Sequence, residues 1–344
     1  MIPGTSAIRQ ATWRAELAAA IIEPKELLEA LALPQSLLPE ARRAHALFPV
    51  RVPWPYLLRI LPGDPSDPLL RQVLPLGLEE AIVPGFGTDP VGDLAAHVAT
   101  GVLHKYEGRV LLTATGACAI HCRYCFRRHF PYAEANAARS HWRAALAHVA
   151  QDQSLSEVIL SGGDPLTLTD EKLAEFVRAL KDLPHVKRLR LHTRVPVVVP
   201  SRVTTELLAW LQSSPVPVAM VLHINHAQEI DEAVQEACAR LAAARVILLN
   251  QTVLLAGVND HPESLAALSE RLFAAGVLPY YLHMLDRVQG AAHFAVDEER
   301  AVRLVEALRK RLPGYLVPRL VREEIAAPAK VPLTVKVGGR ECCG

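Results

Sequence analysis

The chain has 344 residues, with 37 Lys+Arg against 36 Asp+Glu and a formal net charge of +1. That balance excludes a protein built mainly to grip nucleic acid or to coat an anionic membrane. Hydrophobic residues make up 51% and charged residues 21%, enough for a large core and too apolar for global disorder.

Twelve of the 26 prolines lie between Pro24 and Pro90. Proline at that density interrupts long elements, so residues 1–100 are predicted to form short helices and turns packed on something larger. From about residue 108 apolar runs alternate with amphipathic stretches. Strands are predicted at Arg109–Thr115, Val158–Leu160, Arg188–Thr193, Val218–Ile224, Val246–Val253 and Tyr280–Leu285. Helices are predicted between them at Ser140–Ala150, Asp170–Leu180, Thr204–Leu211, Glu229–Ala244 and Pro262–Ala275. Strand and helix in alternation imply an α/β fold, a parallel sheet with helices outside. Six such units curve into a partial TIM-like barrel, whose active site gathers at the C-terminal strand ends. The expected organisation is an N-terminal region of residues 1–100, a core of 101–312 and a C-terminal segment of 313–344.

The longest uncharged run, Leu207 to Gln228, contains Pro215, Pro217 and two histidines. It falls short of the ~20 apolar residues that a membrane-spanning helix needs. No cleavable signal pattern precedes it, so a cytoplasmic location is expected.

The six cysteines do not form a disulfide-like framework. Cys118, Cys122 and Cys125 lie on one stretch after the first predicted strand, Cys238 is isolated in a helical stretch, and Cys342 and Cys343 are adjacent near the end. In a reducing compartment such a cluster points to metal or catalysis. Three thiolates can hold three irons of a 4Fe-4S cluster and leave the fourth open for substrate chemistry. The alternative is structural zinc with His121 or His129 as fourth ligand, although the usual second Cys or His pair is missing. Cys238 is expected to pack as a small apolar residue, and Cys342 and Cys343 to lie in a loose end.

The run Cys118-Ala-Ile-His-Cys122-Arg-Tyr-Cys125 resembles the C-x-x-x-C-x-x-C motif of the radical S-adenosylmethionine enzymes, with Tyr124 as the aromatic before the third cysteine. The resemblance implies that the open iron binds the amino and carboxylate groups of S-adenosylmethionine, whose reductive cleavage yields a 5′-deoxyadenosyl radical. It also implies an external electron donor. Ser161-Gly162-Gly163-Asp164, after the second predicted strand, reads by itself as a β-to-α turn with a capping aspartate. In the family that element holds the methionine amino group.

Five further stretches resemble the lysine 2,3-aminomutases. They are Arg109–Thr113, Cys125–Phe130, Asn250–Asp260, Tyr280–Asp286, and Gly314–Pro318 with Lys330-Val-Pro332. Among those enzymes the chain is most similar to the shorter members that make β-lysine for elongation factor P. The resemblance implies conversion of L-α-lysine to (R)-β-lysine, which a separate lysyl ligase places on elongation factor P. A 1,2-shift of an amino group through a radical needs an imine that can carry the unpaired electron, which pyridoxal phosphate supplies. That cofactor in turn needs a lysine to hold it. Lys330 falls where the family keeps that lysine, although Ala326-Ala327-Pro328-Ala329 replaces the family's glycine-rich run.

By the same resemblance Arg127 clamps the substrate carboxylate, for which a bidentate fork suits. Arg109 and Lys105 lie near the anionic groups of pyridoxal phosphate, and Gln251 in the cofactor region. Asp286 and Glu323 hold the distal ammonium of lysine, with Glu323 standing where better-known members have aspartate. His283 replaces a family tyrosine. The alternatives are a catabolic lysine mutase with the same chemistry and, from a different class, a zinc-stabilised RNA-binding or RNA-modifying module. Neither a membrane nor a nucleic acid is an expected partner.

Overall fold

The computed structural model describes residues 12–132, 135–140 and 142–334, together with 336–337 and 340–341. Cys342 and Cys343 lie outside the described residues. Ten strands form one sheet in chain order: β1 (His97–Ala99), β2 (Val102–Tyr106), β3 (Arg109–Thr115), β4 (Glu157–Gly162), β5 (Arg188–Thr193), β6 (Val218–Leu222), β7 (Ile247–Val253), β8 (Leu278–His283), β9 (Arg319–Arg322) and β10 (Val331–Pro332). Strands β3 to β9 run parallel, while β1 and β2 join antiparallel at one edge and β10 at the other. The sheet curls on itself: the Tyr106 hydroxyl, at the end of β2, donates to the carboxylate of Glu323, just past β9. This is a partial barrel whose two sides meet through side chains.

Five short helices precede the sheet: α1 (Trp13–Ala18), α2 (Pro24–Ala30), α3 (Leu38–Leu47), α4 (Trp54–Leu57) and α5 (Pro68–Arg71). Four of them, α2 to α5, carry proline in their first turn. There its missing N–H costs nothing and its fixed φ favours the helix. The dense prolines therefore start helices as well as limit them. Ile21, Leu27, Leu28, Tyr56 and Leu70 from this region are buried in one hydrophobic cluster with Val110, Leu160 and Leu191 of the sheet.

The helices outside the sheet are α6 (Arg143–Gln151), α7 (Asp170–Ala179), α8 (Val195–Val198), α9 (Thr205–Gln212), α10 (Glu232–Ala243), α11 (Pro262–Ala274) and α12 (Glu298–Arg309). Caps fix several starts: Thr204 accepts from the Leu207 N–H at 3.2 Å, Asp231 from Val234 at 2.9 Å and Asp297 from Arg300 at 2.8 Å. All six expected strands and five expected helices are present, within a few residues at their ends. Among the described residues no helix is long and apolar enough to cross a membrane.

Three features differ from expectation. The series of parallel strands does not stop at the sixth: α12 leads into a seventh, β9, whose Leu320 pairs with Leu282. The hairpin β1–β2 lies in and beside a stretch expected to be helical or irregular, because its polar residues His97, His104 and Lys105 hide the strand signal. Helix α6 starts three residues late, after a 3₁₀ turn over Ala137–Ser140.

The end of β4 shows why two glycines stand there. A Cβ on Gly163 would lie 2.3 Å from the Ala117 carbonyl oxygen, and one on Gly162, at φ +115°, 2.7 Å from that of Thr115. The Gly163 and Asp164 N–H groups donate to those same carbonyls of Thr115 and Ala117, both at 2.7 Å. The glycines thus let the chain after β4 lie flush on the chain that leads into Cys118. Gly163→Ala should force these strand ends apart at a cost of about 1–3 kcal/mol. Chemical denaturation of the variant checks this, with an unchanged midpoint as the contrary result.

Candidate active site

Alternation along the parallel strands sends every second side chain into the barrel. Ile159 and Ser161, Arg190 and His192, Gln251 and Val253, and Tyr281 and His283 line a cavity of about 350 Å³. Between them Leu160, Leu191, Thr252 and Leu282 are buried outside it. All the site residues that the resemblance singles out, from Lys105 to Lys330, line this one cavity, while His129 does not.

The cysteine loop forms part of the lining. Its backbone is pinned by the N-terminal region: the His121 N–H donates to the Arg51 carbonyl at 3.0 Å and the Arg123 N–H to that of Gln72 at 2.9 Å. His121 stacks on Phe48 with its Nδ1 2.9 Å from the Pro49 carbonyl, and His129 is exposed beside the Gln289 carbonyl. Among the described residues no three His, Cys, Asp or Glu side chains are close enough to hold a single metal ion. Burial, then the neighbouring sulfurs, pushes the Cys118 thiol up, and burial first also pushes that of Cys125 to about 11. Both would ionise on binding a metal. Arg194 donates through Nη1 to Cys122 Sγ at 2.8 Å. Three thiols on one cavity wall, one of them already receiving a cationic donor, suit an iron–sulfur cluster.

Asp164 does not offer a free carboxylate. Oδ1 accepts from Leu166 N–H at 3.0 Å and Thr193 Oγ1 at 2.7 Å, and Oδ2 from Arg194 N–H at 2.7 Å and Val195 N–H at 3.2 Å. Burial outweighs these four bonds and pushes its carboxyl to about 6. Asp164 thus ties β4 to the start of α8, while Ser161 accepts from Arg127 Nη1 at 3.2 Å. Tyr124 is buried edge-on to Phe294, and its hydroxyl accepts from Asn225 Nδ2 at 2.6 Å.

Asp93 was not legible in the sequence. It lies in an irregular stretch before β1, and its buried carboxylate takes Arg127 Nε at 2.6 Å and Lys105 Nζ at 2.5 Å. Burial pushes its carboxyl up, but the two cations outweigh that and hold it below its ordinary value. Arg127 also lies over the Phe126 and Phe130 rings. Arg109 stacks on Tyr106, 4.6 Å from the ring centroid.

Elsewhere in the lining Lys330 Nζ donates to Glu323 Oε2 at 2.6 Å and lies 5.9 Å from the centroid of the Tyr281 ring. Burial raises the Glu323 carboxyl, yet Lys330 and Tyr106 together bring it below its ordinary value. Asp286 is different: among the described residues no hydrogen bond reaches its carboxylate, and burial pushes it to about 7 despite Lys330 nearby. Gln251 Nε2 stands 3.1 Å from His223 Nε2. Burial drives His223 down to about 3 and lowers His192 and His283 as well, so the three rings are neutral. His192 and His223 went unread, yet His192 follows Arg188 and Arg190 at strand spacing, opposite the face of Leu189 and Leu191, a signal the sequence does carry.

A model of the "4Fe-4S single cluster domain" matches residues 107–194, which span β3 to the end of β5. The "L-lysine 2,3-aminomutase" of Escherichia coli is 47% identical over 326 residues, covering 94% of this chain and 95% of that protein. The protein of the same name from Haemophilus influenzae is 45% identical over 96% of this chain and 98% of its own length. The chain belongs to the lysine 2,3-aminomutase family. It is an isomerase of that type, and the zinc-stabilised RNA-binding alternative falls away. A clostridial member, from Clostridium subterminale, is 35% identical over 81% of this chain and 67% of its own length.

Membership and the thiol geometry give a direct expectation. Anaerobically reconstituted protein should carry about four iron and four sulfide per chain. Substituting any of Cys118, Cys122 or Cys125 by Ala should abolish the brown colour. Stoichiometric zinc in place of iron after that reconstitution contradicts it.

Proposed function

We propose that the chain converts L-α-lysine to (R)-β-lysine, using a 4Fe-4S cluster, S-adenosylmethionine and pyridoxal phosphate. The β-lysine is then joined to elongation factor P by a separate ligase, in keeping with the resemblance to the shorter family members. The observation that carries the activity is the cavity itself, which joins the three-cysteine loop to Lys330 and two carboxylates. When bound, the cluster supplies the electron that cleaves S-adenosylmethionine, and pyridoxal phosphate supplies an aldehyde and a conjugated ring.

The chain's own residues divide the remaining work. Cys118, Cys122 and Cys125 hold the cluster, and an external donor reduces it. The backbone at Ser161–Gly163 and the Tyr124 side of the wall border the space for S-adenosylmethionine. Lys330 holds pyridoxal phosphate, and Glu323, already hydrogen-bonded to its Nζ, is placed to take the proton that the amine must lose. Arg109 and Arg190 line the same wall and suit an anionic group. Arg127 offers its fork to the substrate carboxylate, which then competes with Asp93 for the guanidinium. Neutral His192, His223 and His283 add no charge that would compete with a substrate ammonium.

One preparation tests the activity and the lysine together. Reconstituted protein given lysine, the three cofactors and a reductant should yield β-lysine on product analysis. Borohydride reduction of the same sample should fix the pyridoxal group on the peptide that contains Lys330. Recovery of unchanged lysine from cluster-loaded protein, or labelling at Lys336, sinks the proposal.

Asp286 receives the distal ammonium of lysine in this reading, with Glu323, expected to share it, engaged instead by Lys330, and the burial of Asp286 makes that step pH-dependent. Below about 7 its carboxyl is held protonated, and above that it is an anion. A proton there competes with the ammonium, so lysine affinity should rise as pH increases through about 7. Removing one partner of a buried pair costs roughly 3–5 kcal/mol, or about two to four orders of magnitude in affinity. Asp286→Asn should bind lysine that much more weakly above pH 7 with its iron content intact. Calorimetric titration across the pH range decides it, and a flat wild-type profile counts against Asp286.

A further inference from the structure

Arg194 follows β5 directly and is 5% exposed. Its Nη1 donates to Cys122 Sγ at 2.8 Å, while Nη2 donates to Glu229 Oε2 at 2.8 Å and Gln72 Oε1 at 2.6 Å. The guanidinium lies against the Tyr56 and Tyr124 rings, 5.3 and 5.8 Å from their centroids. Its own N–H is anchored to Asp164 Oδ2 at 2.7 Å. Glu229 is fully buried, with Oε1 taken by the N–H groups of Asn225 at 2.8 Å and His226 at 3.1 Å. One cation and one anion, both shut off from water, therefore stand in line behind a single cysteine sulfur. Among the described residues Arg194 is the only charged side chain that hydrogen-bonds one of the three cysteines.

We propose that Arg194 sets the reduction potential of the cluster bound through Cys122, with Glu229 as the opposing charge. The proposal rests on the reading that Cys118, Cys122 and Cys125 hold a 4Fe-4S cluster. Reduction adds one electron from an external donor and makes the cluster more negative by one charge. A cationic N–H donor on a ligand sulfur stabilises that added charge and raises the potential. The low dielectric around a buried guanidinium strengthens the effect. The carboxylate behind it pulls the other way. Arg194 is on this account a positioning and tuning residue that acts through Cys122 without touching substrate.

The test is a redox titration of the anaerobically reconstituted full chain, followed by electron paramagnetic resonance, at matched iron content. In Arg194→Met the ratio of reduced to oxidised cluster at a fixed potential should fall about tenfold, a shift of about 59 mV for a one-electron couple. In Glu229→Gln it should rise several-fold, because the cation is left unopposed. A purely structural role predicts no such opposite signs. Arg194→Met leaves Glu229 buried and unpaired, so the double variant Arg194→Met with Glu229→Met guards against misfolding. It too should titrate below wild type, since the donor to Cys122 Sγ is gone. Reduced-to-oxidised ratios within twofold of wild type at full iron content, or shifts of the same sign in the two single variants, overturn this inference alone. Absence of iron from the wild type overturns the cluster reading and this inference with it.

Discussion

Arg123 stands between two of the cysteines, and its guanidinium is closed off from water against Glu79. Nε meets Oε1 at 2.8 Å and Nη2 meets Oε2 at 2.6 Å, with neither side chain exposed at all. Arg128 shares the same carboxylate at 2.8 Å, the Phe48 ring lies against both guanidiniums, and Arg123 Nη1 donates to the Phe48 carbonyl at 2.7 Å. A loop with no ladder of its own is thereby locked to the short proline-started helices. Breaking such a pair strands a charge in the interior, at about 3–5 kcal/mol. The glycines after β4, the anchor at Asp164 and the Arg194 hydrogen bond to Cys122 all take their positions from where that loop is fixed.

The cavity wall carries many ionisable side chains, yet their charges are largely cancelled within it. Arg127 and Lys105 share Asp93, Lys330 has Glu323, and the histidines are kept neutral by burial. Among the described residues Asp286 is a carboxyl without a hydrogen-bonded partner, poised near neutrality, and Arg109 has only the Tyr106 ring against it. A site of this kind admits a zwitterionic guest by exchanging internal partners for those of the guest. An ion pair that the guest makes with Arg127 replaces one already present, whereas one made with Asp286 is new, so the first discriminates by geometry more than by total attraction.

Much of this was legible beforehand, for identifiable reasons. Apolar runs such as Val158–Leu160 and the alternating leucines of Arg188–Thr193 declare buried parallel strands, and the amphipathic stretches between them declare the outer helices. The cysteine spacing announces a metal loop without any fold. Asp93 and Glu79 were not readable, because each meets its arginine partner across more than thirty residues of intervening chain. Strand β9 is four residues long with arginine at both ends, so its pattern resembles a surface turn. Helix α12 should have been found, since Ala301, Leu304, Val305 and Leu308 repeat at helical spacing. Lys330 carries no local signal, and it emerged only from resemblance.

The side-chain bridge from Tyr106 to Glu323 has a mechanical meaning. A barrel closed by backbone pairing has a circumference fixed by its ladder, whereas this one ends in a seam. The clasp on that seam includes Glu323, which Lys330 also grips, so the residue expected to tether the cofactor belongs to the same fastening. Between β2 and β9 no ladder crosses that seam among the described residues, and the main-chain bonds that link the two flanks are those of Gly87 with Arg287 and Gln289, outside the strands. Loss of the Tyr106 contact to Glu323 would therefore leave the parallel pairing from β3 to β9, and with it the strand that leads into the cysteine loop, in register.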